Sequence, residues 1–251
     1  MEMQNKPLFY KRTYKIPSYF TDQNRGLRLS AALHIMQDDG GQHLASFGLP
    51  YGFLFDHGMV FILTRMTVDL PKPILFEDTV DAYTWHKGSR GARFYRQHEI
   101  LSQEGEVLMQ CTAEWVLMDP RTRALLRPNV FTFDCPAWED KQMNLPVEKL
   151  RMPDDMEDCS TRLIRYSDID YNGHVNNATY ADMACDLAAD GLSGKRVRTF
   201  SIAYHQQAYK NETLAMRKRE EGDTVWVQGL REGKPCFDAK LTLCDTQEWK
   251  F

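Results

Sequence analysis

Residues 165–186 read RYSDIDYNGHVNNATYADMACD, a polar turn with two carboxylates, three amides and a histidine that runs straight into a helical apolar repeat. The Asp168-x-Asp170-x-Asn172-Gly173 opening matches the first half of an EF-hand calcium loop, in which alternate oxygens point at one ion and the glycine turns the chain. Counted from Asp168, the position that must supply a bidentate glutamate is Thr179, and the chain holds no second loop to make a pair. The calcium reading is therefore set aside. The spacing predicts a short strand from Arg162 to Tyr166 and a helix from about Val175 to Ala189, ending at Gly191.

The same order is found upstream. Asp22-x-Asn24 precedes a helix over Leu29 to Phe47, with apolar Leu29, Ala32, Leu33, Met36 and Leu44 at helical spacing, a kink expected at Gly40-Gly41 and a stop at Gly48. Both helices finish in Leu-Ala-x-x-Gly-Leu, at Leu44 to Leu49 and Leu187 to Leu192, and Gly26 stands where the second half has His174. Strand-like runs follow each helix: Met59–Val68, Thr79–His86, Ala92–Leu101 and Glu106–Met118, then Arg196–Gln206, Leu214–Glu220, Thr224–Arg231 and Cys236–Asp245. Gly88 to Gly91 reads as a hairpin connection. Pro128, Pro136, Pro146 and Pro153 punctuate an aperiodic stretch.

The chain is thus expected to hold a unit over residues 1–130, a linker over 131–158 and a duplicate over 159–251. A helix with one apolar stripe, followed by an antiparallel meander, buries that stripe when the sheet wraps around it. The expected class is α+β, a tandem (double) hot-dog arrangement of two antiparallel sheets, each around a long helix. Leu33 and Met36 should be buried in one half, Met183, Ala184 and Leu187 in the other, with the sheets joined edge to edge to cover exposed strand edges.

Composition narrows the function. The chain has 251 residues, 43% hydrophobic and 26% charged, with a net charge of -4, which argues against bulk polyanion binding. Cys111, Cys135, Cys159, Cys185, Cys236 and Cys244 form no Cys-x-x-Cys pair and read as reduced core thiols. No apolar run approaches a membrane span, and the N-terminal residues lack a signal-peptide pattern, so a cytoplasmic location is expected. No phosphate loop, dinucleotide fingerprint or metal constellation occurs, so no cofactor and no metal are expected.

The 165–186 stretch resembles the signature of the acyl-acyl-carrier-protein (acyl-ACP) thioesterases. The resemblance extends to VFILTRMTVDLPKPILFEDTV from Val60, Thr84-Trp85, and EWVLMDPRTRALLRP from Glu114. It implies two hot-dog units in one chain and hydrolysis of fatty acyl-ACP, releasing fatty acid and ending chain elongation. It also implies catalytic roles for Asp170 as general base or nucleophile, Asn172 as the group that orients water or carbonyl, and His174 as donor to the developing charge or partner of Asp170. In plant members a glutamate followed by a cysteine lies near this loop; here Gln207 and Ala208 align with them, so the carboxylate is missing and Glu212 is an alternative acid.

The residues support such chemistry independently. Thioester hydrolysis needs a delivered nucleophile and a seat for the oxyanion. A helix beginning near Gly173 to Val175 would offer its first N–H groups to an oxyanion. Asp170 needs poorly hydrated surroundings to act as a base near neutrality. Against this stands plain helix capping by Asp170 or Asn172, while Asp168, Asn176 and Asn177 read as turn formers. Lys210, Arg217, Lys218 and Arg219 are candidate contacts for an acidic carrier protein bearing a fatty acyl chain. No nucleic-acid partner is expected, and the assembly is a monomer or homodimer. The alternatives are an acyl-coenzyme A thioesterase or other hot-dog enzyme, such as a dehydratase, and a catalytically silent acyl-binding protein.

Overall fold

The computed structural model describes residues 6–141 and 143–246. The N-terminal half contributes β1 (Tyr10–Lys15), α1 (Leu29–Ser46), α2 (Tyr51–Asp56), β2 (Val60–Asp69), β3 (Thr79–Arg90), β4 (Arg93–Ser102), β5 (Val107–Met118) and β6 (Leu125–Leu126). The C-terminal half contributes β7 (Glu157–Leu163), α3 (Thr179–Leu187), α4 (Ala189–Leu192), β8 (Lys195–Tyr204), β9 (Thr213–Glu221), β10 (Thr224–Arg231) and β11 (Lys234–Asp245). The main strand order is β1-β3-β4-β5-β2-β8-β11-β10-β9-β7, with β6 on β5. Each half therefore repeats one antiparallel order. The halves meet edge to edge where β2 pairs with β8, from Arg65↔Ala203 to Asp69↔Thr199.

Alternation along the strands places Met66 and Val68 of β2, Phe200 and Ile202 of β8, and Ala239 and Leu241 of β11 in one core with Leu33 and Met36 of α1 and Ala181, Met183 and Ala184 of α3. Leu187 packs on this core only partly buried. Each large apolar side chain taken fully out of water there contributes roughly 1.5–3 kcal/mol. α1 lies against β1, β3 and α3, while α3 lies against β10 and β11.

The helices depart from the expected bounds. α1 is unbroken through Gly40-Gly41. A Cβ at Gly40 would sit 3.4 Å from Arg96 Cδ, so the glycine packs against a buried arginine without kinking the helix. α1 ends as expected, with Gly48 at φ 77° and the bonds Gly48 N→Ala45 O (2.9 Å) and Leu49 N→Leu44 O (3.1 Å) of a Schellman motif. α3 starts at Thr179, because Val175 and Asn176 are held by tertiary backbone bonds to Ala208 O and Asp168 O, both 2.9 Å. It stops at Leu187, where Ala188 turns extended before α4. β7 lies upstream of its expected place, and residues 166–168 form a 3-10 turn. None of the six cysteines is in a disulfide, and Cys159 is exposed on β7 rather than in the core.

The proline-rich segment is a strap. It crosses the outer sheet face and bonds to it strand by strand: Lys141 Nζ to Glu99 of β4 (2.7 Å), Gln97 of β4 to Met143 O (3.2 Å), Glu148 N to Thr67 of β2 (2.8 Å), Ser201 of β8 to Glu148 (2.8 Å), Lys240 of β11 to Glu148 (2.7 Å) and Arg217 of β9 to Met156 O (2.7 Å). Those outward polar side chains gain partners that an apolar cover would deny them. Among the described residues, no helix is long and apolar enough to cross a membrane.

Candidate active site

The polar turn between β7 and α3 is closed by its own backbone. Asp170 N→His174 O and Gly173 N→Asp170 O, both 3.0 Å, make a tight turn with Gly173 at φ 80°. Asp170 Oδ1 accepts the Asn172 N–H at 2.8 Å, and its Oδ2 lies 3.5 Å from Asn172 Nδ2. Asp170 and His174 are half-buried, whereas Asn172 is exposed. His174 Nδ1 lies 3.1 Å from Val175 O. A carbonyl only accepts, so Nδ1 carries the proton of the neutral ring and Nε2 keeps its lone pair. The neutral ring's other nitrogen is thus an acceptor of protons, and it donates only after taking one.

The expected oxyanion seat is corrected. Gly173 N–H is bonded to Asp170 O and Val175 N–H to Ala208 O, so neither is a free helix N-terminal donor. Capping is corrected as well. α3 has Ala178 at its N-cap, and Asn176 Oδ1 takes the Ala178 N–H at 2.8 Å, so neither Asp170 nor Asn172 caps the helix. Asp168 is structural: its carboxylate holds Arg165 N and the Arg162 guanidinium, both at 2.7 Å.

A twin of this turn stands at residues 20–28. Asp22 N→Gly26 O, Arg25 N→Asp22 O, Leu27 N→Ile74 O and Arg28 N→Phe20 O repeat, bond for bond, the pattern made by Asp170, Gly173, Val175 and Asn176. Asp22 Oδ1 takes the Asn24 N–H at 2.8 Å, as Asp170 does for Asn172. The twins differ where chemistry would happen. Gly26 lacks the imidazole, and Asn24 Nδ2 donates to Leu192 O and Lys195 O, both at 3.2 Å. A cavity of about 1160 Å³ opens over this N-terminal twin, beside Asp182, Cys185 and Asp186 on α3.

The twin gives Glu212 a structural counterpart. Its carboxylate takes the Tyr209 N–H at 2.8 Å, as Asp78 takes the Leu75 N–H at 2.7 Å, and it is ion-paired with Arg231 at 3.0 Å. This is a turn fastener used in both halves. Gln207 sits one residue before Ala208, whose carbonyl holds Val175; its Oε1 accepts from Tyr209 Oη at 2.8 Å, which turns its amide N–H₂ outward from that bond.

The basic group is dispersed in effect. Arg217 pairs with Asp158 (3.0 Å), Arg219 with Asp155 (2.9 Å) and Lys218 with Glu220 (2.8 Å), so acids offset their charge. Lys210 is exposed in the loop after Gln207. Sequence reading missed Tyr51, at the start of α2, whose hydroxyl reaches Asn172 Oδ1 at 3.2 Å. It lies far from the loop in sequence, and no local pattern marks it.

The chain and its fold have counterparts. The descriptions "Acyl-ACP thioesterase N-terminal domain" and "Acyl-ACP thioesterase C-terminal domain" match residues 7–129 and 153–234. The chain is 26% identical to a chloroplastic dodecanoyl-[acyl-carrier-protein] hydrolase of Cinnamomum camphora over 227 residues, covering 82% of this chain and 58% of that one. It therefore spans less than two thirds of that curated relative. Among solved structures, a putative oleoyl thioesterase from Lactobacillus plantarum superposes with a TM-score of 0.81 at 20% identity, covering 96% of this chain and 98% of the other. An acyl-ACP thioesterase from Bacteroides thetaiotaomicron gives 0.79 at 20% identity, covering 97% and 100%. With two hot-dog halves in one chain and the family matched across both of them, this chain belongs to the acyl-ACP thioesterase family.

Proposed function

We propose that the protein hydrolyses the thioester of fatty acyl-ACP, with the loop at Asp170 to His174 as its single reaction centre. One observation carries this reading: of two loops with the same backbone bonds, only this one keeps an imidazole and an Asn side chain whose amide hydrogens are not spent on backbone carbonyls. Water adds to the thioester carbonyl while its proton passes to His174 Nε2 or Asp170 Oδ2. Asn172 Nδ2 donates to the oxygen that becomes negative. When the C–S bond breaks, the protonated base returns its proton to the leaving sulfur, giving carboxylic acid and thiol.

Tyr51, Phe55, Tyr166 and Tyr171 leave apolar surface exposed, and Tyr51 meets Tyr171 edge-on at 5.6 Å, so an aromatic rim adjoins the loop and suits docking of an acyl carrier. Lys210, exposed two residues after Ala208 and unlike Arg217, Lys218 and Arg219 not offset by a neighbouring acid in the ion pairs given above, is the member of the basic group we take as the contact for an acidic partner. Six cysteines without a disulfide suit a reducing compartment such as the cytoplasm. The test measures thiol release from acyl-ACP and acyl-coenzyme A across a series of chain lengths. Faster turnover of the carrier-protein thioesters supports the proposal. Preference for coenzyme A esters makes it an acyl-coenzyme A thioesterase, and binding without release makes it the acyl-binding protein that Gln207, standing where an acid is expected, would suit.

A further inference from the structure

An exposed asparagine can present either its carbonyl oxygen or its N–H₂ to a ligand, and only the N–H₂ can donate to a developing oxyanion. Something has to choose. At Asn172 two neighbours do so. Asp170 Oδ2 only accepts and lies 3.5 Å from Nδ2, so the amide nitrogen faces the carboxylate. The carbonyl oxygen then faces Tyr51, whose hydroxyl lies 3.2 Å from Oδ1 and must be the donor.

Tyr51 is well placed to hold that role. It opens α2 in the N-terminal half, and its ring packs against Tyr171 (5.6 Å between centroids) and Phe55 (6.1 Å). Burial, and then the neighbouring Tyr171 and Asp170, raise its pKa, so the phenol keeps its proton. The twin makes the same contact between halves with reversed polarity. There Asn24 reaches from the N-terminal half to Leu192 O and Lys195 O of the C-terminal half, and these acceptors use up its amide hydrogens. One cross-half partner donates and spares the N–H₂; the other accepts and consumes it.

We propose that Tyr51 is a positioning residue for the reaction, which donates to Asn172 Oδ1 across the two halves and so aims the Asn172 N–H₂ at the reacting carbonyl oxygen. This inference rests on the thioesterase reading above. It also gives a reason for two halves in one chain: each loop's amide is oriented by the other half, and the choice of donor or acceptor there separates a working loop from a silent one.

The test uses the full chain, with purified acyl-ACP as substrate. Tyr51→Phe keeps the ring and removes only the hydroxyl, so its melting temperature should match wild type. Expected is a fall in kcat of about tenfold or more, with KM nearly unchanged, because an amide free to turn misplaces a transition-state donor while leaving acyl binding intact. In an Asn172→Ala background the same substitution should cost nothing further, since its object is gone. An unchanged kcat for Tyr51→Phe, or a loss that persists in full beside Asn172→Ala, overturns the proposal while leaving the thioesterase intact. Absence of turnover by the wild-type chain on every acyl thioester overturns the thioesterase reading itself.

Discussion

At the scale of single residues, the proposed mechanism gives Asp170 two jobs with two oxygens. Oδ1 fastens the turn through Asn172 N–H, as Asp22 Oδ1 does in the N-terminal twin, so the twin isolates the structural share of that role. Asp170→Asn keeps an oxygen for that bond and removes the basic one. Turnover should fall on the order of 10²-fold or more while the melting temperature holds; wild-type turnover would remove Asp170 from the mechanism. Glu212 and Gln207 separate in the opposite sense. Glu212→Gln gives up the Arg231 ion pair, half in water, so it should cost up to about 1 kcal/mol in urea unfolding and leave kcat intact. Gln207→Ala should lower kcat, and Gln207→Glu should retain or raise it. An inactive Glu212→Gln beside a fully active Gln207→Ala would place the acid at Glu212 after all. The polar turn that holds Asp170, Asn172 and His174 was legible because residue type and spacing are local signals. Tyr51 was not, because it reaches the loop from 121 positions away and nothing in its own neighbourhood depends on that contact.

At the scale of elements, the strands were legible because alternation along a half-buried strand is written into neighbouring residues. β1 was missed for the same reason. YKRTYK is mostly exposed and charged, an edge strand whose only strand partner among the described residues is β3, so it carries no apolar alternation. The start of α3 was misjudged because Val175 looks like the first apolar residue of a helix, whereas its N–H is taken by Ala208 O, a tertiary bond that periodicity does not report. β10 carries a test of packing at one residue. Gly229 faces Phe237 across the β10–β11 pair, at a register shift, and a Cβ there would press into the buried ring, with Phe237 Cδ1 at 2.9 Å and Cε1 nearer still. Gly229→Ala should therefore destabilise by about 1–3 kcal/mol, read as a lower urea midpoint with an unchanged slope. A midpoint equal to wild type would mean that Phe237 can swing aside without cost.

At the scale of the whole molecule, the proline-rich stretch was legible only as a linker, since its bonds to Thr67, Gln97, Ser201 and Lys240 join residues remote in sequence. The interior beneath α1 was equally hidden, and it governs how the protein answers acid. Arg96 is buried with Nη1 3.0 Å from His43 Nδ1 and 3.2 Å from Thr84 Oγ1. Arginine only donates, so Nδ1 must hold a lone pair, and His43 Nε2–H then donates to Pro7 O at 3.2 Å. Protonating His43 would set an N–H against the guanidinium. Burial, then the Arg96 charge, lowers His43 and His86 to about 4 and His98 well below its ordinary value. A histidine with a depressed folded pKa binds fewer protons folded than unfolded, so its contribution is present above about 6.5 and is lost as pH falls toward 4. Asp39 works the other way. Burial raises it to about 6, so the folded state takes up one proton there between about 6 and its ordinary value. Burial raises Asp186 in the same sense, and three histidines against these two aspartates leave acid destabilising on balance. Denaturant midpoints should thus decline from pH 7 to pH 4.5, and His43→Gln, which keeps an acceptor for Arg96 but cannot be protonated, should flatten that decline. A midpoint that holds level or rises across this range in the wild-type protein would show that these histidines are charged in the fold and that the bond between Arg96 and His43 is not made in solution.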